Sequence, residues 1–180
     1  MADSQQPQFI TEIKVVRSPN RKRTVSARLS EGILVVNAPA RITEKDLEKI
    51  IANFKEKLLK KKLKKELNQN QALKDIADKL NRAYFGGRLN IESIEYSTNQ
   101  NSRFGCCNTK TGRILISHRL ASMPEWVRDY VIIHELAHLI IPNHSRAFQE
   151  LTARYRLKER AIGFLMAKGY QEEETDINKS

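Results

Sequence analysis

The sequence predicts an α+β protein in which two β segments alternate with amphipathic helices. Residues 9–39 alternate apolar and polar side chains with the period of half-buried strands, and a second β segment begins near residue 91. Outside these segments, apolar residues recur three and four positions apart, which is typical of helices with one buried face. At 180 residues, the chain is long enough for one cored domain with an appendage or for two very small domains.

The first β segment is predicted to form two successive hairpins. An apolar run at residues 13–16 ends at the turn-forming sequence Ser18-Pro19-Asn20. A second alternating run at residues 24–29 is followed by Glu31-Gly32, which fits a tight reversal before a third apolar run. We therefore expect residues 1–42 to form an N-terminal β-hairpin region.

A long basic amphipathic helix and a polar hinge are predicted for residues 43–71. Thr43, with Asp46 three positions later, resembles a capping box that would begin the helix. Seven lysines crowd this helix: Lys55, Lys57, Lys60, Lys61, Lys62, Lys64 and Lys65. A further domain is expected at residues 72–170, and residues 171–180 are expected to form a disordered acidic tail.

Positive charge is concentrated in the N-terminal third. The formal net charge is +11, and residues 1–67 carry 16 Lys and Arg against 8 Asp and Glu, a balance of +8. One interpretation is that the Lys55–Lys65 helix is a solvated face that keeps the protein soluble. The other is that this helix makes non-specific contact with the phosphates of a nucleic acid.

Neither a membrane span nor a disulfide framework is expected. No run of about eighteen apolar residues occurs, and the polar start MADSQQPQF lacks the apolar segment of a secretory signal. The two cysteines, Cys106 and Cys107, are adjacent in the sequence. These features indicate a cytoplasmic protein.

The stretch VIIHELAHLIIPNHSRAF, residues 131–148, holds three of the four histidines. Imidazoles and a carboxylate resist burial in such an apolar stretch unless something satisfies them. His134 and His138 are four positions apart on one predicted helix face, so both can bind the same metal ion. Pro142-Asn143 supplies the break that lets His144 fold back as a third ligand. Three protein ligands with one open position are typical of catalytic zinc, and we expect one Zn²⁺ per chain.

Glu135 lies between the two helix histidines and is rotated by about a hundred degrees from His134. That position suits a residue that holds a water rather than the metal. We therefore predict that Glu135 is the general base, which takes a proton from a metal-activated water and passes it to the leaving amine. The sequence leaves four candidates for the residue that stabilises the oxyanion: Tyr130, Tyr155, Arg103 and His118. The rival to His144 as third ligand is Glu150.

Two long segments resemble the YgjP-like metallopeptidases: RFGCCNTKTGRILISHRL and PEWVRDYVIIHELAHLIIPNHSRAF. The N-terminal segment RSPNRKRTVSARLSEGILVVNAPARIT and the short YFGGRL are also similar to that family, so the resemblance covers roughly residues 13–166. A more distant similarity is to SprT-like proteases, which act on proteins crosslinked to DNA. The resemblance implies a zincin-like α+β metallopeptidase domain at residues 72–170. It also implies that His134, His138 and His144 bind zinc and that Glu135 is the base.

Two positions depart from the family pattern. The family's RWGSC is RFGCC here, so Cys106 replaces a serine, and Gln149 follows Phe148 where a tryptophan is usual. Cys107 is either a fourth metal ligand or switch, or an unreactive thiol that packs the β segment. We favour packing, because a permanent fourth ligand would close a catalytic site.

Other polar residues near the motif have two interpretations each. Arg103 and Arg119 either bind a substrate carboxylate through two parallel hydrogen bonds, or pair with an acidic neighbour such as Asp129 as part of the structure. His118 either donates a hydrogen bond to a substrate or is simply a partly exposed polar residue, and we expect the second. Trp126 is expected to pack the motif helix onto the β segment.

The sequence therefore predicts a zinc-dependent metallopeptidase that acts on protein or peptide substrates. Two alternatives remain open because the motif does not specify a substrate. One is a metal-dependent hydrolase of a phosphoanhydride or another small molecule. The other is a nucleic-acid-associated module whose zinc is structural.

Overall fold

Residues 9–169 are described by the computed structural model, and the chain divides after Lys62 into two compact units. The strands are β1 (Glu12–Ser18), β2 (Ser26–Ser30), β3 (Ile33–Pro39), β4 (Ser93–Ser97), β5 (Gly105–Asn108) and β6 (Arg113–Ser117). The helices are α1 (Glu44–Leu67), α2 (Ala72–Phe85), α3 (Glu125–His138), α4 (Arg146–Thr152) and α5 (Lys158–Ala167). The strands form two three-stranded sheets, and the predicted α+β class is confirmed. The domain limits predicted from the sequence stay predictions.

The sheet of the first unit has the order β1-β3-β2. β2 and β3 form an antiparallel hairpin, and its turn residues Glu31 and Gly32 both have a positive φ. β1 instead runs parallel to β3, with Val15 opposite Val36. The prediction of two successive hairpins was therefore wrong for the first pair, since β1 and β2 lie on opposite sides of β3.

The exposure of the side chains explains the central position of β3. Leu34, Val36 and Ala38 of β3 are buried, whereas Val15 and Val16 of β1 are exposed. The most apolar strand, β3, is therefore the central strand, which is hydrogen-bonded along both edges. Alternation along a strand indicates which face is buried but not which strand lies next to it, so the sequence pattern left the pairing undetermined.

Helix α1 begins as predicted. The backbone N–H of Asp46 donates to Oγ1 of Thr43 at 3.2 Å, and the hydroxyl of Thr43 donates to the Asp46 carboxylate at 2.8 Å. Thr43 is therefore the N-cap of α1, and it satisfies a backbone donor that the first turn leaves without a partner. Leu47, one residue beyond Asp46, is buried in the core of the first unit.

The segment predicted as a hinge, Asn68 to Gln71, forms the turn between α1 and α2. The side-chain amide of Asn68 donates to the carbonyl of Tyr96 at 3.1 Å, and its oxygen accepts the N–H of Tyr96 at 2.8 Å. These paired hydrogen bonds fasten the turn to β4.

The second unit contains a sheet of order β4-β6-β5. β4 is parallel to β6, and β5 joins β6 through the turn from Thr109 to Gly112. Helix α3 lies in the core of this unit and contacts α2, α4, α5 and β5. The C-terminal half of α3, which carries the motif, is therefore held beside both β5 and α4.

The sequence predicts that Ser122, with Glu125 three positions later and Pro124 between them, opens the helix that carries the motif. The helix begins at Glu125 directly after Pro124, but Ser122 does not open it. Ser122 instead ends a 3₁₀ helix at His118–Ser122, and its hydroxyl donates to the carbonyl of Arg119 at 3.1 Å. Spacing alone cannot distinguish an N-cap serine from one that closes the preceding turn.

Within residues 9–169, no helix combines the length and the apolar character that crossing a membrane requires. The predicted disordered acidic tail at residues 171–180 lies outside the described residues.

Candidate metal centre

The three histidines of the motif lie together in the second unit. His134 and His138 occupy the last two turns of α3, and His144 lies just before α4. Nε2 of His134 is 3.2 Å from Nε2 of His138 and 3.1 Å from Nε2 of His144. One potential ligand atom from each residue lies within 4.8 Å of the other two. The side chains that the sequence predicted as metal ligands are thus close enough to share one ion.

The path of the chain after α3 explains how His144 reaches the other two. The N–H groups of Ile140 and Ile141 both donate to the carbonyl of Ala137, at 3.0 and 2.9 Å, which tightens the end of the helix. Pro142 follows directly, and proline cannot continue a helix. The chain then reverses, as the break at Pro142-Asn143 predicted.

The donor set fits zinc. In a tetrahedral site with Zn–N distances near 2.0–2.1 Å, neighbouring nitrogens are roughly 3.3 Å apart. The two separations from Nε2 of His134, 3.2 and 3.1 Å, are close to that value. Three imidazoles also suit zinc better than calcium or magnesium, because those ions prefer oxygen ligands.

The protonation of His134 and His138 suits the binding of a metal ion. Burial, together with the positive charges that His138, His144 and Lys158 can carry, lowers the pKa of His134 to about 3. His134 is therefore neutral near pH 7, as a metal ligand must be. Nδ1 of His138 lies 3.2 Å from the carbonyl of Ile141, which places the proton on Nδ1 and leaves the lone pair on Nε2.

Phe148 of α4 packs against all three imidazoles. Its ring centroid lies 4.9 Å from that of His134, 4.6 Å from that of His138 and 4.9 Å from that of His144. The side chain is only 1% exposed. Phe148 therefore keeps water from one side of the histidines and restricts their rotation. No sequence pattern assigned Phe148 to the histidines, although it lies only four positions after His144.

Glu135 is buried on α3 and does not join the group of potential ligands. Its side chain lies directly against Gly105 of β5, where an added Cβ would be 2.2 Å from Oε1 of Glu135. A position beside the imidazoles but outside the ligand group is the one expected of a base. Sequence reasoning missed Gly105, although a glycine within a strand often marks the close approach of another group.

The rival ligands lie elsewhere. Glu150 is exposed and pairs with Arg146, whose Nε is 2.9 Å from its carboxylate. Cys107 is half-buried and packs against the core of the second unit. Burial, together with the neighbouring Glu135 and Cys106, raises the pKa of the Cys107 thiol to about 12. A thiol that is protonated at neutral pH fits the packing interpretation rather than that of a metal ligand.

Two of the four oxyanion candidates have their polar groups engaged. The hydroxyl of Tyr155 donates to the carbonyl of Trp126 at 3.0 Å. Nδ1 of His118 lies 3.3 Å from the carbonyl of Ser97. The ring of Tyr130 lies beside that of His134, with centroids 6.1 Å apart.

Arg103 and Arg119, for which the sequence left two interpretations, lie near the start of β5. The guanidinium of Arg119 lies over the ring of Phe104, 4.0 Å from its centroid, and donates to the carbonyl of Arg103 at 3.2 Å. Asp129, proposed from the sequence as their partner, instead pairs with Arg128 at 3.1 Å. The stacking and hydrogen bond of Arg119 support a structural role for that residue.

Gln149, which stands where the family usually has a tryptophan, pairs with a residue of α5. Nζ of Lys158, a buried residue at the start of α5, donates to Oε1 of Gln149 at 2.7 Å. A tryptophan at position 149 would offer no side-chain acceptor to this ammonium. Gln149 and Lys158 therefore form a matched pair next to Phe148. Trp126, a further aromatic residue of α3, packs edge-to-face against Phe164 of α5, with centroids 5.6 Å apart.

Comparison with known proteins identifies a similar family. Residues 89–158 match the family model described as YgjP-like, metallopeptidase domain, and the resemblance predicted from the sequence is confirmed over these residues. They include the three histidines and Glu135. No curated protein matches the chain.

The chain is also similar to one solved structure, the crystal structure of the metallopeptidase zymogen of Pyrococcus abyssi abylysin. Its sequence is 19% identical, and the TM-score is 0.47. The alignment covers 53% of this chain and 92% of that chain.

Proposed function

We propose that the YgjP-like metallopeptidase domain of this chain is a zinc-dependent peptidase that hydrolyses peptide bonds in protein or peptide substrates. The observation that carries the proposal is the meeting of three imidazoles around one point, with a buried glutamate on the same helix. The family match supports a metal-dependent peptidase. We also propose a cytoplasmic location, which suits the two free cysteines Cys106 and Cys107.

In this proposal His134, His138 and His144 hold one Zn²⁺ through their Nε2 atoms. When bound, zinc polarises a carbonyl and lowers the pKa of a coordinated water to about 7. The ring of Phe148 packs against all three imidazoles and restricts their rotation. The hydrogen bond between Nδ1 of His138 and the carbonyl of Ile141 fixes the tautomer of that ligand.

Glu135 moves the proton. Its carboxylate takes a proton from the attacking water and then delivers it to the nitrogen of the leaving amine. The burial of Glu135 limits competing contact with bulk water.

The edge of β5 suits an extended peptide. β5 is the last strand in the order β4-β6-β5, so within the described residues one of its edges has no strand partner. An extended chain can pair with such an edge through its backbone. Gly105 of β5 contacts Glu135, and a peptide paired with β5 would therefore pass close to the proposed base.

The metal assignment predicts a specific pattern of zinc content. The purified protein should contain about one zinc per chain, and His134→Ala, His138→Ala and His144→Ala should each lose it because three ligands are the minimum for a catalytic site. Glu150→Gln is the matched control and should keep its zinc. Elemental analysis after gel filtration against a chelator measures all five proteins.

Two results would change the assignment. Unchanged zinc affinity in His144→Ala would place the third ligand elsewhere. Hydrolysis of a nucleoside triphosphate without cleavage of any peptide would identify a phosphoanhydride hydrolase, and tightly held zinc without any turnover would identify a structural site.

We also propose that the lysine face of α1 makes non-specific contact with nucleic acid. The lysine face comprises Lys55, Lys57, Lys60, Lys61, Lys62, Lys64 and Lys65. Lys60 pairs with Glu56 at 2.6 Å and Lys64 with Glu95 at 3.3 Å. Lys57, Lys61 and Lys65 are exposed, and no carboxylate in residues 9–169 pairs with them. These three charges support the proposal, because they are available to phosphates without breaking an ion pair.

A further inference from the structure

Gly105 of β5 lies against the side chain of the proposed base. An ideal Cβ at this position would lie 2.2 Å from Oε1 of Glu135 and 2.7 Å from both Cδ and Cγ. Non-bonded carbon and oxygen atoms attract best at about 3.5 Å or more, so all three contacts are far inside the allowed distance. The Glu135 side chain thus occupies the space that any other residue at position 105 would need.

The clash could not be relieved by a small movement of the carboxylate. Rotation about the last two bonds of Glu135 moves Oε1 and Cδ, but it leaves Cγ in place at 2.7 Å. Only a change of the first side-chain torsion moves Cγ, and helical residues have few alternatives for that torsion. Glu135 is only 5% exposed, so its neighbours restrict those alternatives further.

The backbone itself does not require glycine here. Gly32, Gly86, Gly87, Gly112 and Gly169 have a positive φ, and Gly105 is not among them. Alanine fits a strand conformation with a negative φ without strain. A substitution at Gly105 therefore acts through the added Cβ and not through a forced change of the backbone.

We propose that Gly105 is a positioning residue: the absence of its side chain holds the Glu135 carboxylate in place for proton transfer, and any larger residue displaces the base while leaving the metal ligands intact. This inference rests on the proposed function, since it assigns a partner to the proposed base. The three atoms nearest to the added Cβ all belong to Glu135, so the clash falls on the base and not on a histidine.

The test compares Gly105→Ala with Gly163→Ala. Gly163 lies within α5, and an added Cβ there meets nothing within 4 Å, so it controls for the general effect of replacing glycine by alanine. Gly105→Ala should keep about one zinc per chain and lower kcat by about a hundredfold or more, with little change in KM, as expected for loss of a general base. Gly163→Ala should keep both zinc and kcat.

A double variant separates positioning from a general structural defect. If Gly105 acts only through Glu135, adding Gly105→Ala to Glu135→Gln should cause no further loss of kcat. Independent losses that multiply would overturn the proposal. So would a Gly105→Ala protein with unchanged kcat.

A crystal structure of zinc-loaded Gly105→Ala gives a result that does not depend on turnover. The expected structure has His134, His138 and His144 in place and Glu135 in a different rotamer. Glu135 in its original rotamer, with β5 shifted to make room, would overturn the proposal. If the unaltered protein cleaved no peptide while Glu135 moved in the variant, the proposed reaction would fail and the positioning role would stand.

Discussion

At the scale of single residues, Phe148 links the proposed metal centre to the hydrophobic core. The ring is fully buried and touches the three imidazoles on one side. Each imidazole has to keep one nitrogen aimed at a common point, and a free ring would rotate away from it. The packing of Phe148 supplies part of that restriction without any hydrogen bond.

Replacing Phe148 by alanine should therefore weaken both the fold and the centre. A cavity of this kind lowers the free energy of unfolding by about 3–5 kcal/mol. Loss of the support beneath the ligands should weaken zinc binding by roughly tenfold to a hundredfold, which is typical for residues that orient metal ligands. Urea unfolding of the metal-free protein and zinc titration against a competing chelator measure the two effects.

Phe164 provides the matched control for this prediction. It is also an aromatic residue of the second unit, but it packs on Trp126. Phe164→Ala should lower the free energy of unfolding and leave zinc affinity unchanged. Equal zinc affinity in the Phe148 variant and the unaltered protein would show that the imidazoles need no support from the ring.

The same scale shows which parts of the site a sequence can reveal. His134, Glu135 and His138 are on one helix, so their spacing alone sets their relative placement. Gly105 and Lys158 come from β5 and α5, and their roles depend on contacts between elements that no local pattern records. Gly105 would have been found only by asking why a strand contains a glycine.

At the scale of elements, the sequence predicted which segments form strands and which form helices. It did not predict which strands pair with each other. The capping pair of Thr43 and Asp46 is local, and it forms as the sequence predicted. The parallel pairing of β1 with β3 depends on which strand is most apolar, and the order of the strands along the chain suggested a hairpin instead. The 3₁₀ helix at His118–Ser122 was missed for the same reason, because five residues carry too little periodicity.

Helix α1 is the element on which the nucleic-acid proposal depends. Phosphate contacts release counterions, so binding to mixed-sequence DNA or RNA should weaken steeply between low and moderate salt. Replacing Lys57, Lys61 and Lys65 by glutamate should abolish binding, because these side chains carry no ion pair in the described part of the chain. Fluorescence anisotropy at several salt concentrations measures the affinity and its slope.

The control for α1 keeps the charge and changes the side chain. Lys57→Arg, Lys61→Arg and Lys65→Arg together should bind as the unaltered protein does, and zinc content should stay the same in both triple variants. No binding by the unaltered protein at low salt would mean that the lysine face only keeps the protein soluble.

At the scale of the whole molecule, charge and chemistry occupy different parts of the chain. Most of the excess positive charge precedes residue 68, whereas the three histidines, Glu135, Gly105 and Phe148 all belong to the second unit. Zinc binding by the proposed ligands therefore requires no residue of the first unit. The α+β class followed from the sequence because alternating and helical periods are easily distinguished over long segments.

The most direct measurement compares peptide cleavage by zinc-loaded protein and by Glu135→Gln at equal zinc content. Glutamine keeps the shape of the side chain but cannot accept the proton, so zinc should stay bound while kcat/KM falls by about a hundredfold or more. Mass spectrometry of a peptide mixture incubated with each protein reports the cleaved bonds, and the variant also excludes a contaminating protease. Cleavage by the unaltered protein alone is the predicted result. Equal cleavage by both proteins, or none by either, would contradict the assignment of Glu135 in a zinc-dependent peptidase.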